Sequence, residues 1–399
     1  MAAAYYLSRK YEVHLFEREP RLGGHTHTHT IQTSAGPRPI DTGFIVHNRE
    51  TYPNLIRLFE ELGVETEPSD MSFSVYSGNG YEWSTRGLRG FFASPGAWFD
   101  ARHYGLARDI LRFNREARQL LDDPASPTLG EYLARRGYGD YFTARYLVPM
   151  AAAVWSTDTA RIGEFPAKTL IRFFDNHGLL RIANHPRWRV LKGGSSTYIP
   201  KLTAPYRDRI HLNARIRRIV RTPDAVHIET PEATHIFDQI VFACHGDQVL
   251  PLLADPTPAE TDLFRHYQTS SNRAVLHSDA RHLPARPAAR ASWNYDISSP
   301  DAPGATVTYH MNRLQNLGVP EDYCVTLNPR PAREPMKIHR DLVYQHPLYT
   351  QAAVDAQARW SEVSGKNRTH YCGAYWFNGF HEDGLNSALR AARSLDVDC

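Results

Sequence analysis

The run Glu12-Val-His-Leu-Phe-Glu17-Arg-Glu-Pro-Arg-Leu-Gly23-Gly24 decides the fold of this chain. Val13, Leu15 and Phe16 form a short apolar stretch that ends in an acid, Glu17, and a glycine pair follows six and seven residues later. Short β-type runs bounded by turn residues read as strands of a parallel sheet buried on both faces. An acid at the tip of the second strand of a dinucleotide-binding βαβ unit accepts hydrogen bonds from ribose hydroxyls. Paired glycines let backbone approach a phosphate, because no Cβ intervenes. An acid at a strand end carries little information alone and gains weight from the glycines at this distance.

Upstream, Met1 to Lys10 is rich in Ala, Leu, Arg and Lys, which predicts a helix. No strand precedes it and no G-x-G-x-x-G is present. In the full fingerprint the acid lies about 20 residues beyond the glycines, which places a glycine loop just ahead of Met1. The expectation is a chain that starts inside the first helix, with the first strand and phosphate loop cut off. The alternative is a genuine N-terminal helix feeding a strand.

Working outward, Arg21-Leu22-Gly23-Gly24-His25, Asp41-Thr42-Gly43-Phe44-Ile45-Val46-His47-Asn48, Thr51-Tyr-Pro-Asn-Leu-Ile-Arg-Leu-Phe-Glu-Glu-Leu-Gly-Val64 and Gly379-Phe-His-Glu-Asp-Gly-Leu385 together resemble the flavin-dependent amine oxidase superfamily. Within it the chain is most similar to a bacterial group of NAD/FAD-binding amine-oxidase-like proteins, over nearly its whole length. The resemblance implies an α/β fold, α+β overall. A Rossmann-like FAD-binding domain of the glutathione-reductase type would take residues 1–75, 190–255 and 365–399. A discontinuous substrate domain of antiparallel sheet plus helices would take 76–189 and 256–364. It also implies FAD contacts at Glu17, Arg18, Leu22, Gly23, Gly24 and His25, at Asp41, Thr42 and Gly43, at Ile219 in an adenine-covering insertion, and at Gly373, Asp383, Gly384 and Leu385. His25 stands where an arginine often faces the flavin phosphates. Ala374 stands where many relatives carry an acid that holds the ribitol.

The residues between these motifs supply the frame. Leu55, Leu58, Phe59 and Leu62 recur at helical spacing and Gly63 stops the helix. Phe73 to Trp83 alternates around Ser77-Gly-Asn-Gly80, a hairpin signal. Asp100 to Asp122 is an amphipathic helix with Leu106, Ile110, Phe113, Ala117 and Leu120 on one stripe and Arg108, Arg112 and Arg115 opposite. Such a basic helix can lie on an anionic membrane surface; a solvated face over a buried one is the plainer expectation, since Asp109 and Glu116 interrupt the charge. Tyr146 to Thr157 suits either an apolar tunnel wall or an ordinary core helix. His177, among Phe173, Phe174 and Leu179, reads as structural. Gly193-Gly194 announces a turn before a helix. Ile210–Leu212 reads as a strand, and Ile216 to Thr230 as the strands of the adenine-covering insertion. Asp238 to Cys244 reads as a buried strand with Cys244 in core packing. Strand-like runs at Ala274–His277, Thr306–Met311 and Val325–Leu327 predict an antiparallel sheet roofing the flavin. Thr350 to Val363 predicts one helix. Lys337 has no motif around it and is assigned no role.

His25, His27 and His29 alternate, so a strand would put them on one face, where zinc or copper could bind; a Thr-rich strand with no metal is the competing expectation, and no metal is assigned. Asp383 is an expected N-cap of the final helix. The N–H groups and dipole of that helix start favour negative charge on a bound group, which in the superfamily is the reduced flavin. His381 and Glu382 are the acid–base candidates; the alternative is that both only shape the loop.

The 399 residues suffice for two domains. With 42% hydrophobic and 22% charged residues the composition is that of an ordinary globular protein, and a net charge of +3 is too small to imply a nucleic-acid partner, so none is expected. Four scattered cysteines without C-x-x-C argue against a disulfide framework and for the cytoplasm. The expected activity is hydride abstraction from an apolar or amine substrate. The resemblance points to a fatty-acyl lipid, since members of the closest group neighbour lipid-modifying genes. The alternatives are redox-neutral double-bond isomerisation, or a non-catalytic chain whose flavin site is damaged by the absent loop. No motif fixes the electron acceptor or the oligomeric state.

Overall fold

A computed structural model describes residues 1–155, 159–181, 184–298, 306–330 and 337–398. Its fold is mixed α/β. The opening segment forms a helix, Ala2–Leu7, and then the strand Leu15–Phe16, which pairs in parallel with Ile210–His211. A second parallel pair joins Ile240–Phe242 to Thr369–Tyr371. Each pair is a two-stranded sheet with no further strand partner on either edge among the described residues. The first helix packs on the last one, His381–Arg393. Burial pushes the Met1 α-ammonium below the usual amine range.

Three antiparallel strands, Arg218–Arg221, Val226–Glu229 and Thr234–Phe237, form the expected meander. Arg221 fixes it to its surroundings. The guanidinium grips Glu260 bidentately at 2.6 and 2.9 Å, and Tyr371 Oη donates to the same carboxylate at 2.6 Å. Both ion-pair side chains are 1% exposed, so neither charge survives burial without the other.

The larger sheet differs from the expectation. Among the described residues it has seven strands, in the order 338–347, 269–277, 324–327, 307–310, 293–296, 73–76, 82–84. It is mixed, since Phe73–Tyr76 runs parallel to Trp293–Asp296. Those two segments are more than 200 residues apart, so no hairpin constrains their direction, and Ser74 Oγ donates to Asn294 Oδ1 at 2.8 Å between them. The edge strand Ile338–Pro347 has no clear alternation, because most of its side chains are only partly covered. The predicted hairpin at 73–84 forms, as do the helices Pro53–Glu61 and Ala101–Glu116. The expected helix 350–363 breaks into Gln351–Gln357 and Trp360–Val363. The first piece ends at Ala358, whose amide already bonds back to Asp355 and Ala356.

The helices Pro258–Phe264 and Gln351–Gln357 share a hydrophobic core with Ile219, Phe242 and Tyr371. Divisions at 255/256 and 364/365 would therefore cut through one packed unit. The other large core joins the helices of 101–176 to Val75, Trp83, Tyr295 and Val307 of the seven-stranded sheet.

Candidate functional site

Between these parts lies a cavity of about 1790 Å³, roughly twice the upper end of the 300–1,000 Å³ of ordinary small-molecule and cofactor sites. Its inner end is built by two chain segments held back to back. Thr42 N–H donates to His27 O at 3.0 Å and Phe44 N–H to His25 O at 2.8 Å. Gly43 sits between those bonds, and a Cβ there would stand 2.1 Å from the His25 carbonyl oxygen. Gly23 has φ +111°, and Thr26 N–H closes a turn onto its carbonyl at 2.8 Å. A side chain at 23 would collide with Thr26 O, so the turn itself already demands glycine.

The buried carboxylates around this end are consumed by the scaffold. Asp41 accepts from Ser195 N–H (2.9 Å), Ser195 Oγ (2.9 Å), Thr28 Oγ1 (2.5 Å) and Gln315 Nε2 (2.8 Å). It thereby holds the Gly193-Gly194 turn, and burial pushes its carboxyl up to about 6 against those donors. Glu382 accepts from the N–H of Asn54 (3.0 Å), Asn54 Nδ2 (3.0 Å) and the N–H of Leu55 (2.8 Å). It satisfies the otherwise unpaired first turn of the helix Pro53–Glu61. Asp383 accepts from Phe380 N–H at 3.0 Å, and burial pushes it up to about 7.

Imidazoles, in contrast, face the cavity. His381 stacks on Phe44 at 3.8 Å, and its Nε2 lies 3.1 Å from Thr26 Oγ1, which also meets Tyr198 Oη at 2.8 Å. Burial pulls His381 down to about 4. His25, His245 and His346 form a second group with ring centroids 5.4–6.0 Å from His25. Burial holds His25 at about 3 and His346 at about 4, and lowers His245. At neutral pH these imidazoles are polar but uncharged. Beyond it the wall is apolar: Phe91, Ile110, Tyr146, Met150, Val154, Phe173 and Leu179, with Trp293 and Tyr309 from the sheet. The helix Val148–Trp155 is thus both core, through Ala151–Ala153, and tunnel wall. The Trp155 side chain and residues 156–157 lie outside the described residues. Arg86, Arg181, Arg187 and Arg189 line the cavity, against one carboxylate, Asp70. Asp70 is occupied by Ser72 and by Ser292 Oγ at 2.8 Å, with Arg313 at 3.8 Å.

The predicted residues divide accordingly. Gly23, His25, Thr42, Gly43, Gly373, His381, Gly384 and Leu385 line the cavity. Asp41 and Glu382 stand outside the lining, with their carboxylates bonded to donors of the scaffold. Asp383 is corrected from N-cap to the third residue of the helix, since the helix begins at His381. The Gly384 amide donates to Phe380 O at 2.9 Å and is not free; the unpaired amides belong to the first turn, His381 to Asp383. Ile219 is 1% exposed in the meander core, and its carbonyl accepts from Ala254 N–H at 2.9 Å. Glu17 ends the first strand and caps Glu19 N–H at 3.0 Å; Arg18, Leu22 and Gly24 accompany it beside the cavity, outside its lining. The strand of Thr28–Thr33 starts beyond His25, so the three alternating histidines do not share a face. The rings of His27 and His29 pack against each other at 4.0 Å, tilted by 48°, while His25 faces the cavity. Among the described residues no cluster of three or more His, Cys, Asp or Glu has metal-holding geometry. Sequence reasoning missed His245, His346, Tyr344 and the lining arginines, which sit in no motif; His177, read as structural, also reaches the cavity.

The sequence profile of the flavin-containing amine oxidoreductases matches residues 1–312. The chain belongs to this family, and its cofactor is FAD. Among solved structures it is similar to cyclohexylamine oxidase from Brevibacterium oxydans IH-35A, at 14% identity and TM-score 0.69, over 99% of this chain and 96% of that one. It is similar to a CLA-producing fatty acid isomerase from P. acnes at 14% identity and TM-score 0.69, over 98% and 95%. It is similar to putrescine oxidase bound to putrescine at 12% identity and TM-score 0.67, over 100% and 96%. These likenesses establish the shared fold. A comparison with curated proteins returns no match.

The cavity fits such a cofactor by its own polar inventory. His25 Nε2, Trp293 Nε1, Tyr349 Oη and Tyr375 Oη line it as buried polar atoms with no partner among the described residues. Each such orphan costs about 1–3 kcal/mol until a ligand satisfies it. With the first-turn amides at His381–Asp383 they form a set of donors suited to a ring rich in carbonyls and ring nitrogens.

Proposed function

We propose that the chain is an FAD-dependent oxidoreductase that removes a hydride from a long apolar substrate with an anionic head, a fatty-acyl compound rather than a cationic amine. The observation that carries this is the charge inventory of the cavity: Arg86, Arg187 and Arg189 line it with no carboxylate partner among the described residues, Arg181 pairs with Glu50 at 2.8 Å, and the single lining carboxylate is already occupied by two serines. An alkylammonium substrate would find no free counter-charge there, whereas a carboxylate head at Arg187 or Arg86 would. Arg187 makes no ion pair among the described residues, and Arg86 donates only to the carbonyls of Pro287 and Arg290.

FAD, when bound, accepts the substrate's electron pair as a hydride. The chain's own part is to exclude water with the aromatic and aliphatic wall, to orient the substrate by its head, and to keep the inner histidines neutral. A neutral imidazole at His381 donates or accepts a hydrogen bond without adding charge. The FAD-binding half, of Rossmann-like type, takes residues 1–75, 190–267 and 350–399, which extends the expected limits to keep the shared core whole. The rest forms the substrate half.

Anaerobic titration tests the assignment. Oleate is expected to bleach the flavin band at about 450 nm, while cyclohexylamine and putrescine leave it intact. Bleaching by an amine alone contradicts the substrate class. Conversion of linoleate to a conjugated isomer without bleaching would replace oxidation with redox-neutral isomerisation.

A further inference from the structure

The segment from Arg86 to Arg118 presents side chains that the fold leaves unburied. Leu88 is 75% exposed and Phe99 93%; Trp98, Tyr104 and Leu111 are about half exposed. These are five of the ten exposed large hydrophobics among the described residues, gathered in 24 positions. A concentrated apolar surface of this kind marks an interaction site, whereas scattered ones need no explanation. The same segment holds seven arginines and three carboxylates, a net +4, against +3 for the entire chain. Everything outside it therefore sums to −1. Arg86 and Arg89 have no carboxylate partner among the described residues; Arg102, Arg108 and Arg115 project beside the apolar residues with about three quarters of each side chain in solvent.

This surface opens directly into the cavity. Leu88 and Leu111 belong to both, and Phe92, a cavity residue, stacks on Trp98 at 4.4 Å. We propose that this face docks on an anionic lipid bilayer, with Leu88, Trp98, Phe99 and Leu111 entering the headgroup boundary and the arginines pairing with lipid phosphates. Aromatic and aliphatic side chains ringed by arginine are the composition of interfacial segments that lie on a membrane. Among the described residues no helix is long and apolar enough to cross one. A second copy of this chain fits the face less well, since an isologous contact would set a net +4 surface against itself. The placement would let a lipid pass from the bilayer into the tunnel without crossing water, but the docking itself does not depend on which substrate the cavity takes.

The test is co-sedimentation of the full-length chain with phosphatidylcholine vesicles and with vesicles containing phosphatidylglycerol. Binding is expected only to the anionic vesicles and should weaken at least about tenfold in high salt. Leu88→Ser/Phe99→Ser and, separately, Arg89→Glu/Arg108→Glu/Arg115→Glu should each reduce it at least about tenfold with unchanged circular dichroism and melting temperature. Sedimentation velocity should show a monomer. Failure to bind anionic vesicles, equal binding to both kinds, or a dimer that Phe99→Ser disperses would each overturn the proposal. None of these outcomes bears on flavin binding or on anaerobic bleaching, so the docking face and the substrate class fail separately.

Discussion

The two ends of the cavity handle charge in opposite ways. At the inner end each carboxylate within reach is spent on backbone or side-chain donors, and the histidines that face inward are neutral. At the outer end Arg86, Arg89, Arg187 and Arg189 have no carboxylate partner among the described residues, and hydrophobic side chains stand in solvent. One end is a scaffold for a large cofactor, in which every ionised group has a structural task. The other keeps its charges available for something that arrives. An acid beside a site is therefore weak grounds for catalysis here, and an unpaired arginine is the more telling residue.

If that contrast holds, substitutions at the inner end change stability and those at the mouth change substrate use alone. The largest effect is expected from Gly43→Ala, whose Cβ must displace the His25 carbonyl. A loss of about 3 kcal/mol or more is expected in chemical denaturation, with loss of bound flavin. Retained stability would mean that the two segments can part without cost. Glu382→Ala should follow, lowering stability by roughly 1–3 kcal/mol because it strips the start of the helix Pro53–Glu61 of its acceptor. Glu382→Gln should recover part of that, and bleaching rates of the folded fraction should be unchanged; a rate falling a hundredfold would return Glu382 to the chemistry.

Acid should act on the buried histidines next. Burial holds His25, His27, His29, His47, His177, His277, His346 and His381 at about 3 or 4. Their unfolded value is roughly 6.5, so between those values the unfolded chain binds more protons and stability falls as pH drops. Asp41 and Asp383, raised to about 6 and 7, oppose this by taking up protons in the folded state. Eight groups against two predict a melting temperature that falls steadily from pH 7 to pH 5. A flat or rising profile would show that the imidazoles are already charged in the fold. The smallest stability effect belongs to Arg187→Ala, within about 0.5 kcal/mol of the parent as for other surface changes. There the half-saturating concentration of oleate should rise about tenfold while that of its methyl ester stays put; an equal shift for both would remove Arg187 from head recognition.

Much of the inner end was legible in the chain. Gly23, Gly43 and Gly373 announce tight backbone, and their order along the sequence follows the family pattern. His381 and Glu382 show where legibility stops. They are adjacent and equally polar, yet one turns to the cavity and the other to a helix start 327 residues away in sequence. Only the packing of the last helix against Pro53–Glu61 decides which is which. The strand Ile338–Pro347 was invisible because an edge strand with the consecutive residues Arg340 and Asp341 both exposed has no alternation to read. The mouth was invisible for a different reason. Arg187 lies some way along the chain from Arg86 and Leu111, and meets them only in the folded chain.

The central claim, that the inner end holds FAD, is tested most directly by the visible spectrum and acid-released flavin of the purified full-length chain. A yellow protein carrying about one FAD per chain, with its band near 450 nm, is the predicted result. A colourless protein that takes up no FAD from an excess in solution would contradict it.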